Sequence, residues 1–556
     1  MPEYLTPGVY VEEIDSGPKP IESVGTAMPA FVGFTEKAEY LREIDGELVT
    51  EDLLNKPQLI TNWTQFRERF GDFVAGTYLP HAIYGYFQNG GSRCFVVSVK
   101  TIDRAHAALL GADGKPYLVA QSKVAGYDGL RLRVKVDAPE PPASKGAKAK
   151  DAKDAKAKDE GGDSTSDDDD GDVDASAFTV TVERQGMNGG WQVKEVLPNV
   201  TLAEVETSAG GKTVQVVYQN NRAPEWINLI VPETRASLSK MQPRSQQQSL
   251  NLEQKQLAAS TSNEFRGDVM DRSGLGGLEA IDEITMLAVP DLMTTPPGQK
   301  LDLDMVKAVQ TAMIGHCEMM GDRVAILDAP PDMTPQEVHK WRMDTAGYDS
   351  SYATLYYPWI QVDDPATGRM VHIPPSGHVA GIWAETDNTR GVHKAPANAV
   401  VRGAVGLAYD TTHGEQQVLN PDGVNCIRRF PGGGIKVWGA RTLSANPSWK
   451  YINVRRLFNM VEKSIERATQ WAVFEPNDEF LWARMRRDIS AYLSGVWSGG
   501  ALFGATAGQA FFVKCDDELN PPESREIGRL IMEIGMAPVF PAEFIIIRIS
   551  QMSPVG

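Results

Sequence analysis

The sequence predicts a multidomain chain of mixed α/β (α+β) class. Three observations carry that prediction. Strand-like and helix-like runs alternate over residues 25–101 and again over 276–440, the pattern of an open α/β sheet. Residues 102–275 hold runs in which apolar and polar positions alternate, the mark of half-buried strands. The last hundred or so residues, Trp449 to Met552, join two amphipathic helix patterns to three short apolar runs. At 556 residues the chain is also too long for one core, and about three domains are expected.

Residues 1–24 read as an arm and linker. Val9-Tyr10-Val11 is a short β-prone run beside Glu12, Glu13 and Ile14. A strand this short is not stable alone, so it must add to a sheet in its own chain or a neighbour's. Ser16-Gly17-Pro18-Lys19-Pro20 works as a hinge, because the prolines neither extend a helix nor donate to a ladder. In 25–101, Ala30–Phe34 is a buried strand. Asn62 or Thr64 caps a helix through Phe66 and Phe70 that Gly71 closes. A helix over Ala82–Phe87 stops at Asn89-Gly90-Gly91, and Cys94–Val99 is the next strand.

Residues 102–275 read as an inserted β-rich region. Leu130, Leu132, Val134 and Val136 alternate with charged residues, and Phe178, Val180 and Val182 alternate likewise. Between them, residues 138–176 are of low complexity and hold six lysines against twelve acids, so they supply −6 of the net −18. Such a tract buries no core and is expected to be a disordered, solvent-exposed loop. The Ser- and Gln-rich residues 236–260 read as a second exposed connection. In 276–440, strands are expected at Ile284–Val289 and Arg323–Asp328, helices at Met305–Met320 and from Pro335 to Met343, and an extended aromatic run at Tyr352–Pro358. In 441–556, helices are expected over Val454–Ala472 and Asp478–Trp497. Strands are expected at Ala510–Cys515, Leu530–Ala537 and Glu543–Ile549.

A net charge of −18 argues against a nucleic-acid binder, which shows a basic face. Cys94, Cys317, Cys426 and Cys515 lie far apart and suit small buried hydrophobes in a reducing compartment. No apolar run is long enough for a membrane span, and Met1–Thr6 lacks the regions of a secretory signal, so synthesis and assembly in the cytoplasm, without membrane insertion, are expected.

The search for chemistry yields no catalytic residue, metal ligand or cofactor site. Gly210-Gly211-Lys212-Thr213 lacks the first glycine of a phosphate loop and precedes a strand-like run, so it reads as a hairpin turn. Gly274–Gly277 lacks the third glycine of a dinucleotide fingerprint. Asp167–Asp170 lacks the first and last ligands of a calcium loop. His372 and His378 flank Pro374-Pro375-Ser376-Gly377 without a nucleophile-elbow or zinc-helix pattern, and a structural place in a Gly/Pro loop is expected. His316 beside Cys317 reads as packing. Glu475, Asp478 and Glu479 read as helix-start charges. Arg484, Arg486 and Arg487 read as a solvated or partner-facing helix side.

Several stretches together resemble the sheath proteins of contractile phage tails and injection systems. They are Thr6–Glu13, Asn62–Phe66 with Phe70-Gly71, Tyr86–Cys94, Tyr356–Trp359, Pro374–Gly381, Lys394–Asn398, Val437–Thr442, Tyr451–Arg456, Phe474–Asn477 and Pro541–Phe544. Their order spans nearly the whole chain; the 138–176 tract is the departure. The resemblance implies a subunit that stacks as hexameric rings into a sleeve around an inner tube, with baseplate and terminal cap proteins as further partners. It implies a metastable extended state that contracts without spending nucleotide. It implies a subtilisin-like middle domain, and an exchange of strands in which Val9–Ile14 and Phe544, Ile545, Ile546, Ile547, Arg548 and Ile549 pair with a neighbour's C-terminal sheet. Two other readings stand beside it: an α/β hydrolase on the middle domain, and a surface assembly protein whose acidic loop binds cations.

Overall fold

The computed structural model describes residues 21–44, 47–138, 177–186, 188–206, 212–219, 222–232 and 242–547. The arm strand Val9–Ile14, the hinge Ser16–Pro20, the 138–176 tract from residue 139 on, and Arg548 and Ile549 lie outside them.

The first segment gives β1 (Pro29–Thr35), the hairpin β2 (Glu39–Ile44) and β3 (Glu47–Asp52), β4 (Gln58–Ile60), α1 (Trp63–Phe70), α2 (Leu79–Gln88) and β5 (Cys94–Thr101). Asn62 caps α1 by accepting from the Gln65 N–H at 2.8 Å, and Gly71 ends it at φ +85°. Next come β6 (His106–Leu110), β7 (Pro116–Ser122), β8 (Leu132–Asp137), β9 (Phe178–Gln185), β10 (Trp191–Glu206), β11 (Lys212–Val217), β12 (Ile227–Ile230) and β13 (Gln246–Ser249). After them stand β14 (Met286–Ala288), α3 (Leu303–Met320), β15 (Val324–Asp328), β16 (Ala353–Tyr357), β17 (Ile360–Asp364), β18 (Arg369–Ile373), α4 (Ser376–Arg390), β19 (Ala404–Leu407), β20 (Val424–Phe430) and β21 (Gly434–Val437). The chain closes with α5 (Ile452–Thr469), α6 (Glu479–Ser498), β22 (Phe511–Lys514) and β23 (Glu533–Met536).

One nine-stranded sheet holds the molecule's centre, in the order Ala399–Val400, β21, β20, β16, β15, β14, β1, β5, β4. From β20 to β5 every pairing is parallel, and the edges are antiparallel. Strands from 25–101 thus complete a sheet begun by 276–440. Alternation along each strand assigns the faces. Ala30, Val32, Leu287, Ala325 and Leu355 join the core that α3 covers through Val306, Val309 and Met313. Phe31, Met286, Ile326 and Tyr356 join the opposite core, which α2 and α4 cover through Ile83, Tyr86, Val379 and Trp383. A βαβ arrangement demands this three-layer solution, since both faces of a parallel sheet must be buried.

The crossing of α2 and α4 corrects one expectation. Ser376–Gly381 is helix, not loop. A Cβ at Gly377 would lie 2.3 Å from Ala82, and one at Gly381 would lie 2.6 Å from the Tyr86 carbonyl oxygen. The glycines therefore let two helices touch backbone to backbone. Prolines 374 and 375 stand just ahead of the helix, where no intrahelical N–H is lost.

In 102–275 a five-stranded sheet runs β11-β10-β9-β8-β13, beside a three-stranded sheet β12-β7-β6. The two strands read from alternation pair directly, Val134 with Val182 and Asp137 with Thr179. Residues 138–176 are thus the connection of one antiparallel hairpin. Leu130 precedes that strand in a 3₁₀ turn. The Ser/Gln-rich stretch is not only connection, since β13 pairs with β8. Its polar side chains hid a strand that is held by main-chain bonds. The helix from Pro335 is regular to Lys340 and continues as a wider π turn over Trp341–Ala346. Among the described residues no helix is long and apolar enough to cross a membrane.

Candidate assembly interface

Both ends of the described chain converge on α5 and α6. Asp478 caps α6, its Oδ1 accepting from the Leu481 N–H at 2.9 Å, so the charge expected at a helix start has a defined task. The buried faces of the pair, Leu457 and Val461 on α5 and Ile489, Tyr492 and Leu493 on α6, make a separate small core. The antiparallel hairpin of β22 and β23 rests on it.

Hairpin register sets Phe511 opposite Met536 and Val513 opposite Ile534, and these four side chains pack against that core. Phe512 points the other way and lies over Gly535, where a Cβ would meet its ring at 2.1 Å. Residues 530–532, expected as strand, carry no ladder; the strand is Glu533–Met536. Two strands alone are marginal in water. Here the helices underpin one face, and among the described residues neither strand has a second partner.

On the N-terminal side, Ile21 packs against the same core. The Val24 N–H donates to Ser464 Oγ at 3.0 Å, and Thr26 Oγ1 donates to Asp387 Oδ2 at 2.6 Å. Arg456 of α5 grips Asp387 of α4 at 2.9 and 2.5 Å and donates to the Thr26 carbonyl at 3.0 Å. Both charged side chains are 3% exposed. Residues 24–26 are thereby strapped across the joint between the central sheet's helices and α5.

On the C-terminal side, the chain leaves β23 and is caught twice. Asn453 Nδ2 donates to the Val539 carbonyl at 3.1 Å. Glu543 then receives Arg441 Nε and Nη2 at 2.8 and 2.6 Å, Asn420 Nδ2 at 2.8 Å and the Tyr451 hydroxyl at 3.0 Å. Burial raises the Glu543 carboxyl, but the bonds from Arg441 and Asn420 outweigh it and hold the group below its ordinary range. Immediately after this clamp, Phe544, Ile545, Ile546 and Ile547 are 72–82% exposed. Of the strand expected over Glu543–Ile549, residues 543–547 have no ladder partner among the described residues, and Arg548 and Ile549 lie outside them. Sequence reasoning missed the clamp. Its signal was a Glu preceding four apolar residues, and an Arg between Gly/Ala and Thr, each within a stretch read only as resemblance.

The residues weighed for chemistry have other partners. The Ser376 N–H donates to Asp328 Oδ1 at 2.9 Å, with both side chains buried. Burial pushes the Asp328 carboxyl up to about 7. His378 is sealed in the α2–α4 crossing, and burial pushes its pKa down to about 3. His372 stands apart on β18. His316 Nε2 faces the Arg323 guanidinium at 3.2 Å, and burial lowers its pKa to about 4. Arg484 stacks on Trp471 at 3.9 Å, Arg486 donates to the Cys515 carbonyl, and Arg487 pairs with Asp488 at 2.9 Å. All four cysteines are buried and free. No group of three or more His, Cys, Asp or Glu side chains that could hold a metal ion occurs among the described residues. The strands β10 and β11 pair as far as Glu206 and Lys212, and Gly210-Gly211, expected as a hairpin turn, lies outside the described residues.

Comparison with known proteins places this architecture. Residues 275–443 match the phage tail sheath protein central domain, and residues 444–552 match the phage tail sheath C-terminal domain. The tail sheath protein of Vibrio phage KVP40 is 28% identical over 207 residues, covering 36% of this chain and 30% of that protein; the chain thus spans less than a third of that relative's length. The fold is similar to the contracted sheath of the extracellular contractile injection system PVC (TM-score 0.54, 22% identity, 99% of each chain). It is also similar to the contracted helical sheath of the anti-feeding prophage (TM-score 0.52, 24% identity, 99% of each chain).

Proposed function

The chain belongs to the phage tail sheath family, and from that premise we propose that it is the structural subunit of the contractile sheath of a phage-tail-like injection system. Subunits assemble in the cytoplasm as stacked hexameric rings around an inner tube, between a baseplate and a terminal cap. The sleeve is metastable when extended; contraction drives the tube through a target envelope. The subunit is no enzyme and uses no cofactor.

The observation that carries this reading is the hairpin of β22 and β23, whose strands have no further partner among the described residues, reached from both ends of the described chain. An exposed apolar tail beyond a fixed clamp is an aggregation hazard in a lone subunit and an assembly device in a polymer. Strand addition uses backbone hydrogen bonds of roughly 0.5–1.5 kcal/mol net each. Val9–Ile14 from one neighbour and Phe544–Ile549 from another would each contribute a few such bonds, repeated over every subunit. The hinge Ser16–Pro20 lets the body rotate while the link holds. In this reading 1–24 is arm and linker, and 441–556 is the exchange domain. Segments 25–101 and 276–440 form the subtilisin-like α/β body, in architecture only. Segment 102–275 faces outward and bears the acidic loop.

Deleting residues 1–15 tests it. The truncated chain is expected to fold, with unchanged circular dichroism, yet to remain unpolymerised by electron microscopy and sedimentation. Sheaths of normal length from that truncation would refute the exchange.

A further inference from the structure

A groove of about 800 Å³ lies between α5, α6 and the turn after α4. Its floor is apolar, with Val392, Leu457, Tyr492 and Val496. Its rim carries Arg390 and Arg487. Arg487 has only the neighbouring Asp488, in a pair whose arginine is 60% exposed, and Arg390 has no ion-pair partner among the described residues. Ile21, where the described chain begins, lines the same groove.

Those residues supply the complement. Residues 1–18 contain Glu3, Glu12, Glu13 and Asp15 and no Lys or Arg, and Ile14 sits between the acids. Six residues separate Ile14 from Ile21, so seven Cα-to-Cα steps reach up to about 24 Å when extended. Pro18 and Pro20 favour that extension. The linker can therefore lay Ile14 on the floor with its flanking carboxylates at the two arginines.

We propose that in the unassembled subunit this groove seats the root of the chain's own arm, Glu12–Asp15, as a latch. Glu12, Glu13 and Ile14 belong to the segment read as the exchange strand, so a seated arm is withheld from other copies. Growth of a sheath must then lift it out, which confines strand exchange to subunits already docked. That consequence rests on the sheath reading; the seat itself rests only on the groove and the arm.

The test uses the full chain, with Ile14→Cys combined in turn with Ala491→Cys and Val496→Cys. Isotopically heavy and light chains are mixed at a concentration below polymerisation, oxidised and analysed by peptide mass spectrometry. Within-chain disulfides alone, light with light and heavy with heavy, are the expected result. Heavy–light pairs would assign the groove to a neighbour's arm and overturn the latch. Absence of any disulfide, with both thiols reactive to a small reagent, would overturn it too. Adding Arg390→Glu should slow disulfide formation roughly two- to fivefold, the size of an exposed ion pair. Glu12→Lys with Glu13→Lys should restore the rate; equal rates in all three would count against the seat. Microscopy of the reduced wild-type chain reads polymerisation separately, so a failure of the sheath reading is distinguishable.

Discussion

Asp291 ties three segments of the chain at one carboxylate. It accepts from the N–H groups of Phe34, Tyr78 and Leu79 at 2.6, 2.5 and 3.1 Å and from Thr294 Oγ1 at 2.8 Å. Gly33 is the matching concession, since a Cβ there would lie 2.4 Å from the same carboxylate. Replacing Asp291 by Ala orphans three buried N–H groups at about 1–3 kcal/mol each, so a loss of several kcal/mol is expected in urea unfolding. Burial pushes this carboxyl up to about 6 despite its donors. Its folded pKa is thus above the unfolded value near 4, so the folded state binds more protons between them. The associated stability is full at the acid end and is lost as pH rises through 6. Asp291→Asn should flatten that slope, read from urea midpoints at several pH values. Glu543 has the opposite sign. Its pKa is held down, so its contribution is present above the ordinary carboxylate range and is lost as pH falls through its folded value. Glu543→Gln keeps the shape and removes the charge facing Arg441, which is 7% exposed. A loss of about 2–4 kcal/mol is expected at pH 7, and little difference from the parent where Glu543 is protonated.

At the scale of elements, what sequence reveals depends on which force holds the element. The helices α5 and α6 were legible because an apolar stripe announces each of them, and a capping Asp478 marks the start of α6. Strands β1, β5 and β15 were legible as buried apolar runs between turn residues. Strand β13, made of Gln246–Ser249, was not, because its stability comes from main-chain bonds to β8 rather than from side-chain burial. Helix α4 was hidden by its own packing. Gly377 and Gly381 read as loop formers, and only the distance to Ala82 and Tyr86 reveals the close crossing that demands them. The tail reads as strand-forming by composition, yet residues 543–547 have no ladder partner among the described residues. Composition states a need for pairing and not where the pair stands. That separation makes a prediction at this scale. Replacing Ile545, Ile546 and Ile547 by Ser removes residues that are 78–82% exposed, so the melting temperature of the monomer should not fall. Polymerisation should be lost, by sedimentation and microscopy. A monomer destabilised by the triple substitution would show instead that the tail folds onto its own chain.

For the whole molecule, the sheet topology separates what must stay rigid from what is free to vary. The nine-stranded sheet draws strands from both sides of residues 102–275, so that long segment is an excursion from a body whose two halves meet behind it. Within the excursion, the acidic tract is an excursion again, since β8 and β9 pair up to Asp137 and Thr179 without it. A hairpin closed by some 39 residues carries a loop-closure cost that grows by about 0.6 kcal/mol per doubling of length. Replacing residues 138–176 by a four-residue Gly/Asn turn removes about three doublings. The β8–β9 pairing should gain up to ~2 kcal/mol. Net charge would move from −18 to −12, because the tract supplies six lysines and twelve acids. The expected chain is more resistant to urea and more prone to associate as self-repulsion falls. It should still polymerise, because the hairpin of β22 and β23 and the Glu543 clamp are built from residues outside the excised tract. Hydrogen exchange at β8 and β9 reads the first effect, and light scattering against salt reads the second. A deletion that lowers the unfolding midpoint would mean that the tract packs on the β-rich region.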